Sequence, residues 1–323
     1  MKNGALLWIG VVLCCLCEAC RETREGGVYV GREGTIDFYG LIDSVVLTPL
    51  EWKEGYTIGV IDKMEVTDSL YYLLDARKTN ALYAFDKGGK AIARFGAMGR
   101  GPEEYVSICD YAVGRENGRV LVLCHPTKLV VTDLYFQVKQ VVPLPLYASR
   151  IVCREGNVYL YAHGKEKRLL ALDTVSGNVK TVFVENNVPN NYASSVEPVF
   201  YAVEDDLYYC SWGSDTVYRI EPEGLAKLFV MDYDGKGRKW RRFASEQPLS
   251  FREALECSPP SLHLLFRFEG KLSMIYTYSA LVRLGIWEES GRTMQQDGVL
   301  ANAYGDGWFY RGNALTRWAF MPG

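Results

Sequence analysis

The chain has 323 residues, 48% of them hydrophobic and 23% charged, a balance that excludes an intrinsically disordered protein. A formal charge of −3 leaves no electrostatic footprint for nucleic acid, and no such partner is expected. Aromatics make up 13% of the chain, with 22 Tyr, and 31 Gly supply tight turns; that mixture suits strands and hairpins better than helices.

Met1-Lys2-Asn3 is a short basic start, followed by an apolar run from Ala5 to Cys17. A run of about a dozen residues is too short for a bilayer span but fits the core of a signal peptide. Ala19 then precedes Cys20, and Arg21-Glu22-Thr23-Arg24-Glu25 is polar. The order resembles a bacterial lipoprotein signal, in which residues 1–19 are removed and Cys20 becomes the lipidated first residue. Cys17 competes as the acceptor, and an ordinary cleaved secretory signal is the other reading. Residues 20–34 read as a flexible tether and residues 35–320 as one folded domain. The expected address is across the inner membrane and lipid-anchored in the envelope, at the outer membrane. No later stretch is long and apolar enough to span a bilayer, so membrane contact is expected through the lipid alone.

Beyond the tether, a short apolar run recurs six times, starting at Leu70, Val120, Val158, Leu207, Leu272 and Trp308. The first four are each followed by a second run with an acid four positions on, at Leu82–Asp86, Leu129–Asp133, Leu169–Asp173 and Val217–Glu221. Gly soon follows three of those acids, which is hairpin chemistry and a better reading than a calcium ring. With an upstream strand for every unit and a downstream one for most, the pattern gives strands A to D of a propeller blade, a repeat near 40 residues. The fold expected is all-β, a six-bladed β-propeller. Its sixth blade starts with an A strand at Val299–Tyr304 and lacks a D strand. Asp43–Thr48 is expected to supply it, closing the last blade with an N-terminal strand and removing the open edges.

Three segments resemble the six-bladed β-propeller lipoproteins abundant in Bacteroidetes. Asp43-Ser44-Val45-Val46-Leu47-Thr48-Pro49-Leu50-Glu51 is similar to the family's opening strand, and Phe85-Asp86-Lys87-Gly88-Gly89-Lys90 to its first C–D hairpin. Gly99-Arg100-Gly101-Pro102-Glu103-Glu104-Tyr105 resembles its most specific signature, with Glu103 where the family has a third glycine. The resemblance implies the fold and the envelope location, and no activity. NHL-repeat proteins, lactonases and an amidating lyase are analogues of the same architecture only.

D–A and B–C connections share one face of such a ring, the top, and both long insertions seen in the sequence, Gly96–Tyr105 and Asp234–Pro260, are D–A loops. Loops on a rigid scaffold carry function, so the expected ligand-binding residues are Arg100, Glu103, Glu104, Tyr105, Trp240, Arg241 and Arg242. Five positions after each B-strand start stand Asp75, His125, His163, Trp212, Thr277 and Asn313, a polar ring on the same face. Equivalent positions on neighbouring blades lie too far apart for ligand distances of roughly 2.0–2.2 Å, and no metal or cofactor is expected. There is no Gly-x-Ser-x-Gly elbow, phosphate-binding glycine loop or His-Glu-x-x-His pair. The reading is a monomeric binding or scaffold propeller for a protein or glycan partner. The alternative is a calcium-dependent, lactonase-like hydrolase or lyase using Glu103 or Glu104 with Asn313. The five body cysteines, Cys109, Cys124, Cys153, Cys210 and Cys257, read as small buried hydrophobes and not as a disulfide framework.

Overall fold

The computed structural model describes residues 27–31, 34–37, 44, 46–101, 104–163, 167–185, 198–237, 240, 253, 256–279, 281–287 and 294–301. These residues form five antiparallel blades. The first holds β3 (Lys63–Val66), β4 (Leu70–Asp75), β5 (Ala81–Asp86) and β6 (Ala91–Phe95). In the second stand β7 (Ser107–Gly114), β8 (Arg119–His125), β9 (Lys128–Asp133) and β10 (Val138–Pro143). The third is β11 (Arg150–Arg154), β12 (Asn157–Ala162), β13 (Lys167–Leu172) and β14 (Val179–Glu185). The fourth comprises β15 (Phe200–Val203), β16 (Asp206–Tyr209), β17 (Thr216–Glu221) and β18 (Gly224–Asp232). The fifth is β19 (Ser261–Phe268), β20 (Lys271–Tyr278), β21 (Leu281–Trp287) and β22 (Met294–Ala301). Each blade's first strand touches the next blade's first strand, from β3 through β7, β11 and β15 to β19, so the A strands run nearest the axis.

Burial explains which strands the sequence advertises. The B strand β8 is buried at every position from Val120 to Cys124, because blades pack on both of its faces. The D strand β10 is exposed at Lys139, Gln140 and Pro143. Tyrosine serves a second purpose, joining one blade to the next through its hydroxyl. Tyr111 donates to the Tyr72 carbonyl (2.7 Å), Tyr72 to the Leu134 carbonyl (3.1 Å) and Tyr201 to the Leu262 carbonyl (2.9 Å). Buried Asp110 ties the inner strands of three blades together. It accepts from Lys63 Nζ on β3 (3.0 Å), its neighbour Tyr111 N (2.9 Å) and Ile151 N on β11 (3.0 Å).

The acids at the ends of the C strands make turns. Asp86 accepts from the Gly88 and Lys90 backbone, Asp133 from Tyr135 and Gln137, and Asp173 from Val175 and the Ser176 hydroxyl. The five body cysteines are thiols, and Cys124, Cys210 and Cys257 are buried. Burial pushes the Cys124 thiol up to about 12. Among the described residues no helix is long and apolar enough to cross a membrane.

The N-terminal segment departs from expectation twice. Residues 27–31 fall within the expected tether, yet Gly27–Tyr29 forms β1, pairing parallel with the outer edge of β18, and Val28 and Val30 are buried. Thr35–Asp37 forms β2 and adds in parallel to β22. Conversely, Ser44 and residues 46–50 lie in no strand, and Val46 and Leu47 are exposed. The chain then docks on the first blade through Glu51. Glu51 N donates to the Gly89 carbonyl (2.7 Å), and Glu51 Oε2 accepts from Ala91 N (2.9 Å). Gly89, at φ +84°, makes this approach possible: a Cβ there would sit 2.0 Å from the Pro49 carbonyl oxygen. The two motifs Pro49-Leu50-Glu51 and Gly88-Gly89 are thus halves of one contact.

At the other end, Val299–Ala301 closes β22 as the fourth strand of the fifth blade and does not open a sixth. The run at Trp308 expected as the next B strand lies outside the described residues.

Candidate functional site

The loop Gly96–Val106 crosses from β6 to β7 on the top face. Gly99 N donates to the Tyr105 carbonyl (3.0 Å) and Tyr105 N to the Ala97 carbonyl (3.2 Å), pinching its base. Inside the loop, Glu104 Oε2 accepts from Gly101 N at 2.7 Å. Its carboxylate lies flat over both glycines: a Cβ on Gly99 would stand 1.9 Å from Glu104 Oε2, and one on Gly101 3.1 Å from it. The Glu104 carboxylate thus occupies the space that a side chain at Gly99 would take and crowds the one at Gly101. Lys128 Nζ, at the start of β9, caps the loop from below by donating to the Glu104 and Gly101 carbonyls.

The loop forms one wall of a groove of about 580 Å³. Gly99, Arg100, Glu104 and Val106 line that wall; Pro126, Thr127 and Lys128 form the floor, and Val141 and Pro143 of β10 the far side. Arg100 is exposed, and no hydrogen bond or ion pair ties it to another described residue. Val106 is 51% exposed, an apolar wall facing solvent. The groove therefore offers apolar surface with a solvent-facing cation at its rim.

Residues 19–248 match a family described as a 6-bladed beta-propeller. The chain belongs to that family. No curated protein matches the chain. Among solved structures it is similar to a Bacteroides fragilis protein inferred to be exported, with TM-score 0.66 and 13% identity over 81% of this chain and 77% of that one. It is also similar to BamB of Moraxella catarrhalis, with TM-score 0.48 and 10% identity over 74% of this chain and 64% of that one. At 13% identity the likeness to the Bacteroides fragilis protein speaks to the propeller fold alone, and that fold supports many chemistries.

In this family member the seven residues expected to bind ligand separate into three groups. Arg100 and Glu104 meet at the groove, Arg100 toward solvent and Glu104 folded into its own loop. Tyr105 and Trp240 are core residues. Tyr105 stacks on Phe95 at 5.2 Å and donates its hydroxyl to the Asn80 carbonyl; Trp240 donates Nε1 to the Gly213 carbonyl at 2.7 Å. Both are fully buried, so neither presents a surface to a ligand. Glu103, Arg241 and Arg242 lie outside the described residues. Val106, at the loop's own end, carries no distinguishing residue type, and Lys128 and Val141 escape the sequence reading because strand pairing, not sequence spacing, brings them to the loop.

The polar ring divides as well. Asp75 is buried and accepts four backbone N–H groups, from Gly59, Val60, Lys78 and Thr79. Thr277 Oγ1 pairs with His263 Nε2 at 2.7 Å, and Asn313 lies outside the described residues. His125, His163 and Trp212 do form a group, joined by Tyr147 from the connection between β10 and β11: Tyr147 contacts His125 (5.8 Å between ring centroids) and His163 (6.0 Å), and His163 contacts Trp212 (5.0 Å). Among the described residues no three His, Cys, Asp or Glu side chains converge as a metal site.

Proposed function

We propose that the chain is an envelope-anchored binding propeller whose top-face groove takes an extended, acidic segment of a partner protein. The observation that carries the reading is the groove itself, with Val106, Pro126, Val141 and Pro143 as apolar surface and exposed Arg100 at its rim. Its walls are set before any partner arrives, by β10 on one side and the Glu104-stapled loop on the other, which lowers the ordering cost of association. An apolar side chain next to a carboxylate satisfies both features, because Arg meets planar anions through two parallel hydrogen bonds.

The test is site-specific photo-crosslinking in intact cells. A photoreactive residue at Val106 is expected to capture an envelope protein, and Arg100→Glu in the same chain to reduce that capture at least tenfold. Tyr135, 56% exposed beyond the end of β9 on the opposite face, is expected to capture nothing comparable. Cross-linking that persists in Arg100→Glu, or that occurs at Tyr135 and not at Val106, overturns the reading.

The anchor rests on the N-terminal sequence: a basic start, an apolar core, and Ala19 before Cys20. Cys20→Ser is expected to move the protein from the membrane fraction to the soluble fraction. A Cys20→Ser chain that stays with membranes and still labels with a palmitate analogue assigns the lipid to Cys17.

A further inference from the structure

Residues 20–34 read as a tether in the sequence, yet β1 begins at Gly27. Only residues 20–26 therefore separate Cys20 from a strand paired into the fourth blade. Seven residues reach at most roughly 24 Å when fully extended. The strand they lead into is firmly held. Val28 and Val30 are buried, Val30 N donates to the Asp232 carbonyl, and the Tyr29 hydroxyl donates to Asp234 Oδ1.

The direction of β1 decides where so short a link goes. β18 leaves its C–D hairpin on the bottom face at Gly224 and ends at Asp232, where the crossing to the fifth blade begins on the top face. β1 runs parallel to it, with Gly27 opposite Val230 and Tyr29 opposite Asp232. The chain thus enters β1 travelling from the bottom toward the top. The bottom end of β18 lies six residues below Val230, about 20 Å at the rise of a strand. An extended link of roughly 24 Å just clears that rim, whereas a link to the top would use several of its residues in a reversal.

We propose that the lipid holds the propeller with its bottom face toward the bilayer and its groove turned away into the aqueous compartment. This orientation rests on Cys20 as the lipidated residue and on the groove as the binding site, and it narrows the partner. The extended acidic segment belongs to a protein that reaches in from the aqueous side, not to one embedded beside the propeller in the same membrane. Charge does not draw this face to lipid: Glu204, Asp205, Glu221 and Glu223 stand at the bottom end of the fourth blade. Their repulsion of anionic headgroups is screened beyond about 8 Å at physiological salt, well within the reach of the link. The covalent link, not adhesion, sets the orientation.

Energy transfer to the bilayer tests the proposal. The chain beginning at Cys20 is joined through its N-terminal cysteine to a thioester lipid in phosphatidylcholine vesicles that carry acceptor-labelled lipid. A fluorescent amino acid stands at Val175, 82% exposed in the β13–β14 hairpin on the bottom face, or at Leu281, 38% exposed at the start of β21 on the top face. These positions belong to the blades on either side of the anchored one. Transfer from position 175 is expected to exceed that from position 281 by roughly threefold or more, because the two faces stand about one strand length apart. A flexible Gly-Ser insertion of about 20 residues after Glu25 is expected to bring that ratio close to one without changing the melting temperature. Equal or stronger transfer from the top position, or a ratio that survives the insertion, overturns the proposal. The lipid is attached chemically, so neither result depends on acylation in cells, and the Cys20→Ser fractionation tests the anchor separately.

Discussion

Asp75→Ala is expected to destabilise the propeller by about 3 kcal/mol at neutral pH, the range for leaving several donors of a charge-assisted network without their acceptor. Asp75 ends β4 with no exposed surface. Its Oδ2 accepts from Gly59 (2.7 Å) and Val60 (3.1 Å), and its Oδ1 from Lys78 (2.8 Å) and Thr79 (3.2 Å). One carboxylate thus fixes both the approach to the first blade and the turn between its B and C strands. Burial by itself pushes the Asp75 carboxyl up; the backbone donors, Gly59 foremost, outweigh it and hold the group below the ordinary aspartate value. A carboxyl depressed on folding contributes stability above its unfolded value, and the contribution is lost as pH falls through the folded one. The difference in melting temperature between wild type and Asp75→Ala is therefore full at pH 7 and shrinks below about pH 4. Asp75→Asn, which keeps one acceptor oxygen, is expected to fall between them. Thermal melts of the three proteins at pH 7 and pH 3 check this. An alanine variant as stable as wild type at pH 7 would mean that water replaces the carboxylate at little cost.

The same residue shows how far the sequence carries. Asp75 is legible as a polar position at a B-strand end, but its four donors come from both sides of the strand and only folding assembles them. B strands are legible because both faces are buried: Val120–Cys124 is apolar without interruption, as a doubly covered strand must be. The hairpin acids are legible because an Asx turn is a local contact. In the fifth blade that marker fails, since four positions after Leu281 stands Gly285, and nothing local announces β21 and β22. Without them, Val299–Ala301 reads as the start of a sixth blade.

Non-local contacts account for the other differences. β1 contributes only three residues, too few to show a period, and its burial depends on the distant β18. The loop signature is legible in the sequence, and the structure puts two of its residues, Arg100 and Glu104, on the wall of the groove. Residue type misleads at Tyr105 and Trp240, because an aromatic ring with a polar tip suits a blade junction as well as an interface.

A paired substitution at the N-terminus separates the two ways of placing it. Val28→Ala with Val30→Ala is expected to cost about 3–5 kcal/mol, from roughly 0.8 kcal/mol for each buried methyl lost and the cavities left behind. Each of these valines is 1% exposed and packs in the cluster that includes Val217, Phe229, Met231, Tyr276 and Trp287, at the junction of the fourth and fifth blades. The segment is also fastened by polar contacts. Val30 N donates to the Asp232 carbonyl (2.9 Å), the Tyr29 hydroxyl to Asp234 Oδ1 (2.6 Å), and Gly31 N to the Tyr276 hydroxyl (3.1 Å). It therefore covers the outer edge of one blade while gripping its neighbour, and an edge stripped of it, beside newly uncovered Met231 and Phe229, invites aggregation. Val46→Ala with Leu47→Ala is the control, at 84% and 88% exposure, and is expected to change stability by less than about 0.5 kcal/mol. If Asp43–Thr48 were the closing strand, the order of the two effects would reverse. Urea titrations of both double variants, in chains beginning at Cys20, decide between them through the midpoint. A Val28/Val30 variant that melts like wild type would return residues 27–31 to the tether, and a destabilised Val46/Leu47 variant would restore the closing strand.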